Sequence, residues 1–378
     1  MKNPTLLTVV FIDDGINPAF IPSGVHFTNY TADETGVYLS KPVNTVSHGT
    51  MCYQIFHNHV HTSYHLISIK VLNSTTGVGN HKSLLSALNW CATQDIDVIN
   101  MSMGTRQYLD FASISTAINR LSKTIIVAAC SNENELTFPA CLPQVIGVRH
   151  ANDAQLVGYF AYIHNPYDQI EVATCVQDEP IDFGGGHIEK MSGANSFATP
   201  LITAHVCDYM GQGYSTLDAI RTRLALDGIK DTMFASYKFC KSHIRQWESC
   251  NIPIVAIPDT GAVVNQKLQA LLDLFIQDGY RAVILSATQE SNAAGLVYNL
   301  TPHGIDKVTK ADLIELCYNF TLPDIIFLQM NPQEATELPE NLQADAVIKL
   351  HPTQNNAYEL NMAKPVKDLF VQIISLLQ

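Results

Sequence analysis

The sequence predicts an α/β fold: a parallel sheet flanked by helices, followed by a second, smaller α/β domain. Two observations support this prediction. Short apolar runs of strand length alternate with stretches of helical spacing along most of the 378 residues. This alternation stops near residue 227 and starts again at Ile252. We therefore predict a first domain over residues 1–227, a connector over 228–250 and an accessory domain over 251–378.

The elements of the first domain follow from the pattern of apolar residues. A buried parallel strand reads as a continuous apolar run, whereas a helix repeats its apolar residues three and four positions apart. This pattern predicts strands at 6–12, 66–72, 97–101 and 124–129. It predicts helices after His48 and at 83–91, 112–121 and 196–210.

The accessory domain repeats the same alternation. Strands are predicted at 252–257, 281–286, 324–329 and 346–350, and helices at 263–277, 310–319 and 364–377. The first strand runs into residues 258–261 (PDTG), where a phosphate-binding loop would lie, but the Gly-Lys-Ser/Thr end that holds phosphate and magnesium is missing. The domain resembles a degenerate nucleotide-binding-like module, found beside enzymes that mature ribosomally made peptides. We expect no nucleotide there.

Composition excludes several classes of function. The 22 Lys and Arg against 35 Asp and Glu give a net charge of −13, which disfavours a nucleic-acid or anionic-membrane binder. Charged residues make up only 15% of the chain, too few for a disordered chain or a coiled coil. The N-terminus lacks the features of a signal peptide, and no apolar run is long enough to span a membrane. With nine cysteines and no CxxC pair, these features predict a cytoplasmic protein with reduced thiols.

Three short segments place an acid, a histidine and a serine in a chemically meaningful order. They are 9–15 (VVFIDDG), 47–50 (SHGT) and 192–200 (SGANSFATP). Taken singly, Asp13, His48 and Ser196 are each explained by a turn, a structural histidine or a helix cap. Together they match the needs of covalent catalysis. A serine hydroxyl requires a base to take its proton, and the base requires a carboxylate to hold its tautomer.

A fourth segment, 126–133 (IVAACSNE), ends a buried strand in small residues and then Asn132. Alone, this asparagine would be interpreted as a loop cap. A tetrahedral intermediate, however, needs preorganised donors for its oxyanion. Beside a Ser-His-Asp set, Asn132 is therefore predicted to supply one of them.

These segments together resemble the subtilisin-like serine peptidases, or subtilases, over most of residues 6–210. The segments FIDDG, SHGT, VINMSMG, VAACSNE and GANSFATP occur in the order typical of that family. The resemblance implies that Ser196 is the nucleophile and that His48 is the general base and then the acid. It also implies that Asp13, rather than its neighbour Asp14, orients His48. Asn132 and the backbone N–H of Ser196 would form the oxyanion hole.

The resemblance also implies a substrate cleft, which an extended peptide would enter as an added strand. One edge would be formed by Gly77, Val78 and Gly79, and the other by Ser102, Met103 and Gly104, with Ser131 beside the primary pocket. The chain departs from the family in three places. Ser131 stands where a Gly is common. Ala194 and Asn195 stand where many members have Gly-Thr, which makes Asn195 a second candidate donor to the oxyanion. The stretch 132–139, at the floor of the primary pocket, is short.

The resulting expectation is a cytoplasmic serine endopeptidase with no metal or cofactor, acting on a peptide or precursor peptide. The catalytic acid lies only a dozen residues from Met1, which leaves no room for an inhibitory propeptide. Together with the short pocket loop and the extra domain, this favours limited processing, such as leader removal from a ribosomally made precursor. Two alternatives remain open: a non-catalytic peptide-binding scaffold that keeps the cleft, and a peptidyl transferase or ligase. Oligomeric state is not predicted.

A histidine cluster gives one further alternative. The four residues are His57, His59, His61 and His65. Alternating histidines on one face of a strand can bind a metal, but a solvated loop before the strand at 66–72 is the favoured interpretation.

Overall fold

The structure is a computed structural model of the chain. It describes residues 6–41, 43–73, 75–133, 135–164, 166–177, 179–182, 188–191, 193–229, 241, 244, 246–258, 262–289, 292, 296–300, 308–330, 346–349, 359–361 and 364–377. The chain divides into two compact units. The first comprises residues 1–106, 110–132 and 136–236, and the second comprises residues 107–109, 133–135 and 237–378. Most of the predicted connector, 228–250, lies outside the described residues.

The first unit is built on a sheet that is parallel at its centre and antiparallel at its edges. Its strands are β1 (Leu7–Asp13), β2 (Phe27–Asp33), β3 (Gly36–Leu39), β4 (Tyr64–Lys70), β5 (Val98–Met101), β6 (Ile125–Ala129), β7 (Val145–His150), β8 (Phe160–Tyr162) and β9 (Val172–Thr174). They lie in the order β3-β2-β4-β1-β5-β6-β7-β9-β8. The pairs β2–β3 and β8–β9 are antiparallel. A separate antiparallel pair joins β10 (Glu179–Asp182) and β11 (Ile188–Met191).

Helices cover this sheet, and the apolar strands explain why. In β1, Leu7, Val9 and Phe11 belong to one hydrophobic core, and the alternate residues Val10 and Ile12 are also fully buried. A strand buried on both faces needs a layer on each side. The helices of this unit are α1 (His48–His59), α2 (His81–Cys91), α3 (Phe111–Asn119), α4 (Asn195–Gly211) and α5 (Leu217–Asp227). The buried side chains of α1 and α4 complete the core that contains Leu7, Val9 and Phe11.

The second unit has its own parallel sheet. Its strands are β12 (Ile254–Pro258), β13 (Ala282–Ser286), β14 (Val297–Asn299), β15 (Ile325–Met330), β16 (Ala346–Lys349) and β17 (Glu359–Asn361). They lie in the order β14-β13-β15-β12-β16-β17, and each neighbouring pair is parallel. Its helices are α6 (Ala262–Gln277), α7 (Lys310–Thr321) and α8 (Val366–Leu377).

The predicted α/β class is confirmed, with a parallel sheet flanked by helices and an additional C-terminal sheet. The sequence prediction omitted β2, β3, β8 and β9, which are short or only half buried and so give a weak apolar signal. It also omitted β7, although that strand is buried. Residues 259–261 of the PDTG turn lie outside the described residues. Within the described part of the chain, no helix is both long enough and apolar enough to cross a bilayer.

Candidate active site

His48 lies in the first turn of α1, and its neighbours determine where that turn begins. The Ser47 hydroxyl oxygen accepts the Thr50 N–H at 3.1 Å, and the same hydroxyl donates to the Gly15 carbonyl at 2.6 Å. A serine in this position caps the helix by satisfying an otherwise unpaired N–H. Gly49 lies so close to the end of β1 that a Cβ there would be 2.6 Å from the Gly15 oxygen. The SHGT segment therefore fixes His48 against the carboxyl end of β1.

Asp14 holds the same turn through its carboxylate. The two oxygens accept the backbone N–H groups of His48 at 3.2 Å and Gly49 at 2.8 Å. A negative charge at this end of a helix also interacts favourably with the helix dipole. Burial raises the pKa of Asp14, although the Gly49 N–H opposes that shift. Asp14, the residue after β1, thus positions the backbone of His48.

Asp13 contacts the imidazole ring of His48. Its two carboxylate oxygens lie 2.9 and 3.0 Å from Nδ1. Because an ionised carboxylate only accepts hydrogen bonds, Nδ1 carries the proton, and Nε2 of the neutral ring is left as an acceptor. The side chain of Asp13 is 1% exposed and that of His48 is 32% exposed. The acid is therefore shielded from water, while the ring reaches the surface of the cleft.

Cys52 lies one helical turn after His48, with its sulfur 3.8 Å from each ring nitrogen. The pKa of His48 is raised: an ionised Cys52 sulfur would raise it most, burial lowers it, and the Asp13 carboxylate raises it further. Burial also raises the pKa of the Cys52 thiol, so that thiol is uncharged at neutral pH. The Asp13 carboxylate is therefore the charge that stabilises a protonated His48.

Ser196 lies in the first turn of α4, which begins at Asn195, one residue earlier than predicted. Pro200 has no backbone N–H, so the Ser196 carbonyl lacks the partner that a helix normally supplies four residues later. The Cys52 thiol donates to this carbonyl across 3.5 Å. Cys52 thus links the helix that carries His48 to the helix that carries Ser196.

Asn132 follows β6 and meets the start of α4. Its side-chain oxygen accepts the Asn195 backbone N–H at 3.1 Å. The preceding residue, Ser131, donates its backbone N–H to the Thr137 hydroxyl at 2.9 Å. Since a backbone N–H is met by the amide oxygen and not by the amide nitrogen, Nδ2 of Asn132 is directed away from that N–H. Asn132 and Ser196 line the same cleft.

This cleft has a volume of about 400 Å³ and contains most of the predicted site residues. Among the residues that line it are Asp13, Asp14, His48, Gly77, Gly79, Ser102, Met103, Gly104, Asn132 and Ser196. Val78 and Ser131 are not among its lining residues in the described structure. Val78 is 68% exposed, and the Ser131 backbone is bonded to Thr137 and Asn195. No hydrogen bond joins the Ser196 hydroxyl to His48 among the described residues. In ligand-free enzymes such a contact often tightens only when substrate binds.

Two of the four clustered histidines form side-chain hydrogen bonds, each to a different partner. His57 Nδ1 lies 2.8 Å from the Tyr64 hydroxyl, and His61 Nδ1 lies 2.8 Å from the Asp208 carboxylate. His57 and His59 belong to α1 and His65 to β4, so the favoured loop interpretation was wrong for these three.

One set of possible metal ligands does occur in the described residues. Donor atoms of Asp13, His48 and Cys52 lie within 4.8 Å of one another. A metal bound there would occupy the imidazole that the proposed chemistry needs as a base. The absence of a metal therefore stays a prediction.

Sequence reasoning gave Asp14 and Cys52 no role at the site. A signal existed for Cys52, because a residue four positions after His48 on a helix faces the same side. A signal for Asp14 existed in the doubled acid after β1, but sequence alone does not say which carboxylate meets the ring and which meets the backbone. Asn195 was considered only as a donor to the oxyanion, whereas its Nδ2 donates to the Ser131 carbonyl at 2.6 Å.

Comparison with known proteins gives one family. Residues 31–215 match the model described as the subtilase family, a range that includes His48, Asn132 and Ser196 but begins after Asp13. The chain is 26% identical over 114 residues to the major intracellular serine protease of Bacillus subtilis (strain 168), covering 28% of this chain and 35% of that protein. It is 27% identical over 143 residues to subtilisin NAT of Bacillus subtilis subsp. natto, covering 36% of each. The chain thus spans about a third of the length of these relatives.

Solved structures also match part of the chain. A cold adapted subtilisin-like serine proteinase has 18% identity and a TM-score of 0.46, covering 62% of this chain and 90% of that chain. The nisin leader peptidase NisP from Lactococcus lactis has 14% identity and a TM-score of 0.47, covering 62% of this chain and 85% of that chain.

Proposed function

We propose that the first unit, whose residues 31–215 match the subtilase family model, cleaves peptide bonds through Asp13, His48 and Ser196. The observation that carries the proposal is the bond between Asp13 and Nδ1 of His48, in a cleft also lined by Ser196 and Asn132. The contact leaves Nε2 as the acceptor for the serine proton. A scaffold that only binds peptide would not need a buried carboxylate on that ring.

The chemistry proceeds in two stages. Nε2 of His48 takes the proton of the Ser196 hydroxyl as the oxygen attacks the substrate carbonyl, and Asp13 stabilises the resulting imidazolium. The tetrahedral oxyanion accepts hydrogen bonds from Nδ2 of Asn132 and the backbone N–H of Ser196. His48 then gives its proton to the leaving amine, which leaves an acyl-enzyme on Ser196. Water activated by the same imidazole releases the acid.

Ser196 also benefits from its position at the start of α4. The first N–H groups of a helix have no partner within the helix, and they carry partial positive charge. An oxyanion that forms beside this turn is therefore stabilised by groups that are already in place. The position of Ser196 at the start of α4 therefore favours its proposed role as the nucleophile.

The substrate is proposed to be an extended peptide. Gly77 and Gly79 line the cleft together with Ser102, Met103 and Gly104. An antiparallel bridge between Leu72 and Gly79 anchors the first edge. Backbone along two edges of a cleft pairs with an extended chain as neighbouring strands do.

We further propose that the enzyme cleaves its substrate at restricted sites, and we favour leader removal from a ribosomally made precursor. The short stretch 132–139 supports it, since a small pocket floor restricts which side chains enter. A cytoplasmic location and a precursor-peptide partner belong to the same proposal. The peptidyl transferase alternative differs only in whether an amine or water resolves the acyl-enzyme.

A peptide library followed by mass spectrometry tests the proposal. We expect defined cleavage by the full chain, with product masses that show the addition of water. Ser196→Ala should abolish cleavage, because the nucleophile is lost. Ser215→Ala, a change at an exposed serine four residues after α4, is the matched control and should cleave normally. Products joined to an added amine would favour transfer. Binding without any cleavage would favour the scaffold.

A further inference from the structure

The side chain and backbone N–H of Asn195, the residue before Ser196, form hydrogen bonds to three other residues. Its Nδ2 donates to the Ser131 carbonyl at 2.6 Å, and its Oδ1 accepts the His150 backbone N–H at 2.7 Å. Its backbone N–H donates to Oδ1 of Asn132 at 3.1 Å. Asn195 is only 5% exposed. These contacts connect the carboxyl ends of β6 and β7 to the first residue of α4.

Chemistry fixes the direction of both amides. The His150 N–H only donates and the Ser131 carbonyl only accepts, so the Asn195 side chain fits in one orientation. The Asn195 N–H likewise selects the oxygen of Asn132 and turns the Asn132 nitrogen the other way. The orientation of Asn132 therefore depends on where the Asn195 backbone lies.

We propose that Asn195 is a positioning residue that sets the direction of the Asn132 amide beside Ser196. This inference rests on the proposed peptidase function. The Asn195 side chain is tied to the backbone on both sides of it, by Ser131 next to Asn132 and by His150 at the end of β7. Movement of the Asn195 backbone would displace the Asn132 amide.

The residue type matters because the two side-chain partners differ. One partner is a donor and the other is an acceptor, and a planar amide meets both at once. An ionised aspartate has no donor for the Ser131 carbonyl. A threonine, the residue that many subtilases carry here, has one hydroxyl for two partners that lie apart. An alanine leaves both buried backbone groups unpaired, which is costly.

A double-mutant cycle between Asn195 and Asn132 tests the proposal in the full chain. For a peptide that the wild type cleaves, Asn195→Ala should lower kcat by about 10–100-fold, somewhat less than the loss of an oxyanion donor itself. KM should stay within about twofold, because the effect falls on the transition state. In the Asn132→Ala background, the same change should cost less than about threefold. Asn152→Ala, an exposed asparagine two residues from His150, is the control and should behave as wild type.

Asn195→Asp supplies a second test that does not depend on the alanine variant folding. Below its pKa the new carboxyl can donate one hydrogen bond and accept another, as asparagine does; above it, the carboxylate repels the Ser131 carbonyl. The kcat ratio of variant to wild type should therefore rise as the pH is lowered from 8 to 5. A purely structural role would lower the melting temperature without this rise.

The outcomes separate the positioning role of Asn195 from the peptidase function. The positioning role would be overturned if Asn195→Ala lowered kcat by the same factor with and without Asn132. It would also be overturned if KM rose by as much as kcat fell. Neither result would contradict the peptidase function. A flat pH ratio for Asn195→Asp would overturn the positioning role as well. A wild-type chain that neither cleaves peptide nor reacts with a fluorophosphonate at Ser196 would overturn both proposals. A small cost in the Asn132→Ala background together with the rising pH ratio supports the inference.

Discussion

The two sheets of this molecule both end in polar side chains at their carboxyl edges, but the groups differ in charge and in access to water. The first sheet ends in Asp13, which is paired with the half-exposed ring of His48 in an open cleft. The second ends in Ser286 on β13 and Gln329 on β15, both fully buried. Parallel strands bring polar groups together at such an edge. Such an edge can catalyse a reaction only if it carries titratable side chains and if substrate can reach them.

The network of the second edge is uncharged and internally bonded. Oε1 of Gln329 accepts from the Ser286 hydroxyl at 3.1 Å and from the Gln289 amide at 2.5 Å, and its Nε2 donates to Asn265 at 2.6 Å. At the opposite edge of this sheet lies an ion pair, Arg281 with Asp324 at 2.8 Å. The polar side chains described at this carboxyl edge thus form hydrogen bonds with one another. We therefore expect changes at the first edge to alter rates, and changes at the second to alter stability.

Asp13→Asn should have the largest effect among these changes. The amide can present its nitrogen to the His48 ring and so favour the wrong tautomer, with Nε2 protonated and unable to accept from Ser196. Triad acids of this kind are worth on the order of 10⁴-fold in kcat. Steady-state kinetics on a cleaved peptide measures it. A loss below about tenfold would mean that Asp13 does not orient the base.

Asn132→Leu should have the next largest effect. The change removes one preorganised donor but leaves Asp13, His48 and Ser196 in place. Loss of such a donor in serine peptidases costs about 10²–10³ in kcat. KM should change little. A higher KM with unchanged kcat would show that Asn132 binds substrate and does not stabilise the transition state.

The pH profile separates the two groups that contact His48. His48 acts as a base only when neutral, so kcat/KM should fall as the pH is lowered through its pKa. With Cys52 a neutral thiol, Asp13 raises that pKa and burial lowers it, so the position of the midpoint relative to the ordinary value of about 6.5 measures which of the two prevails. Cys52→Ser keeps a donor for the Ser196 carbonyl but cannot ionise, and it should leave the midpoint unmoved. A downward shift in this variant would mean that an ionised Cys52 holds the proton on His48.

Gln329→Leu should change stability and leave catalysis intact. The substitution removes the hydrogen bonds that Gln329 forms with the buried Ser286 and the half-buried Asn265, at a cost of about 1–3 kcal/mol in the free energy of unfolding. We expect a lower melting temperature with unchanged kcat and KM on a short peptide. Gln266→Leu, a change at an exposed position of α6, is the control. A large loss of activity in the folded Gln329→Leu protein would contradict the division between the two edges.

The sequence predicted the helices α1 to α4 and the strands β1, β4, β5 and β6, because continuous apolar runs mark strands buried on both faces, but it omitted the buried strand β7. It failed at the sheet edges: β2 has five half-buried residues in seven, and β9 is only three residues long. At the candidate site, Asp13, His48, Asn132 and Ser196 were named from motifs and order along the chain, and they remain predictions of role.

Other contacts at the site depend on geometry that no motif encodes. Pro200 leaves the Ser196 carbonyl without its helical partner, and the sequence cannot show that Cys52 fills this place. The bonds of Asn195 to Ser131 and His150 bring together residues 64 and 45 positions apart. Residue spacing says nothing about such pairs until the sheet order is known.

The most direct test of the central claim is to locate covalent modification by a serine-directed fluorophosphonate. Fluorophosphonates react with a serine whose proton is removed by a neighbouring base and whose oxyanion is stabilised. We predict that the full chain is labelled once, at Ser196 by peptide mapping, and that Ser196→Ala is not labelled. We also predict that His48→Ala slows labelling strongly. Label at another serine, or label that persists in Ser196→Ala, would contradict the assignment of Ser196 as the nucleophile.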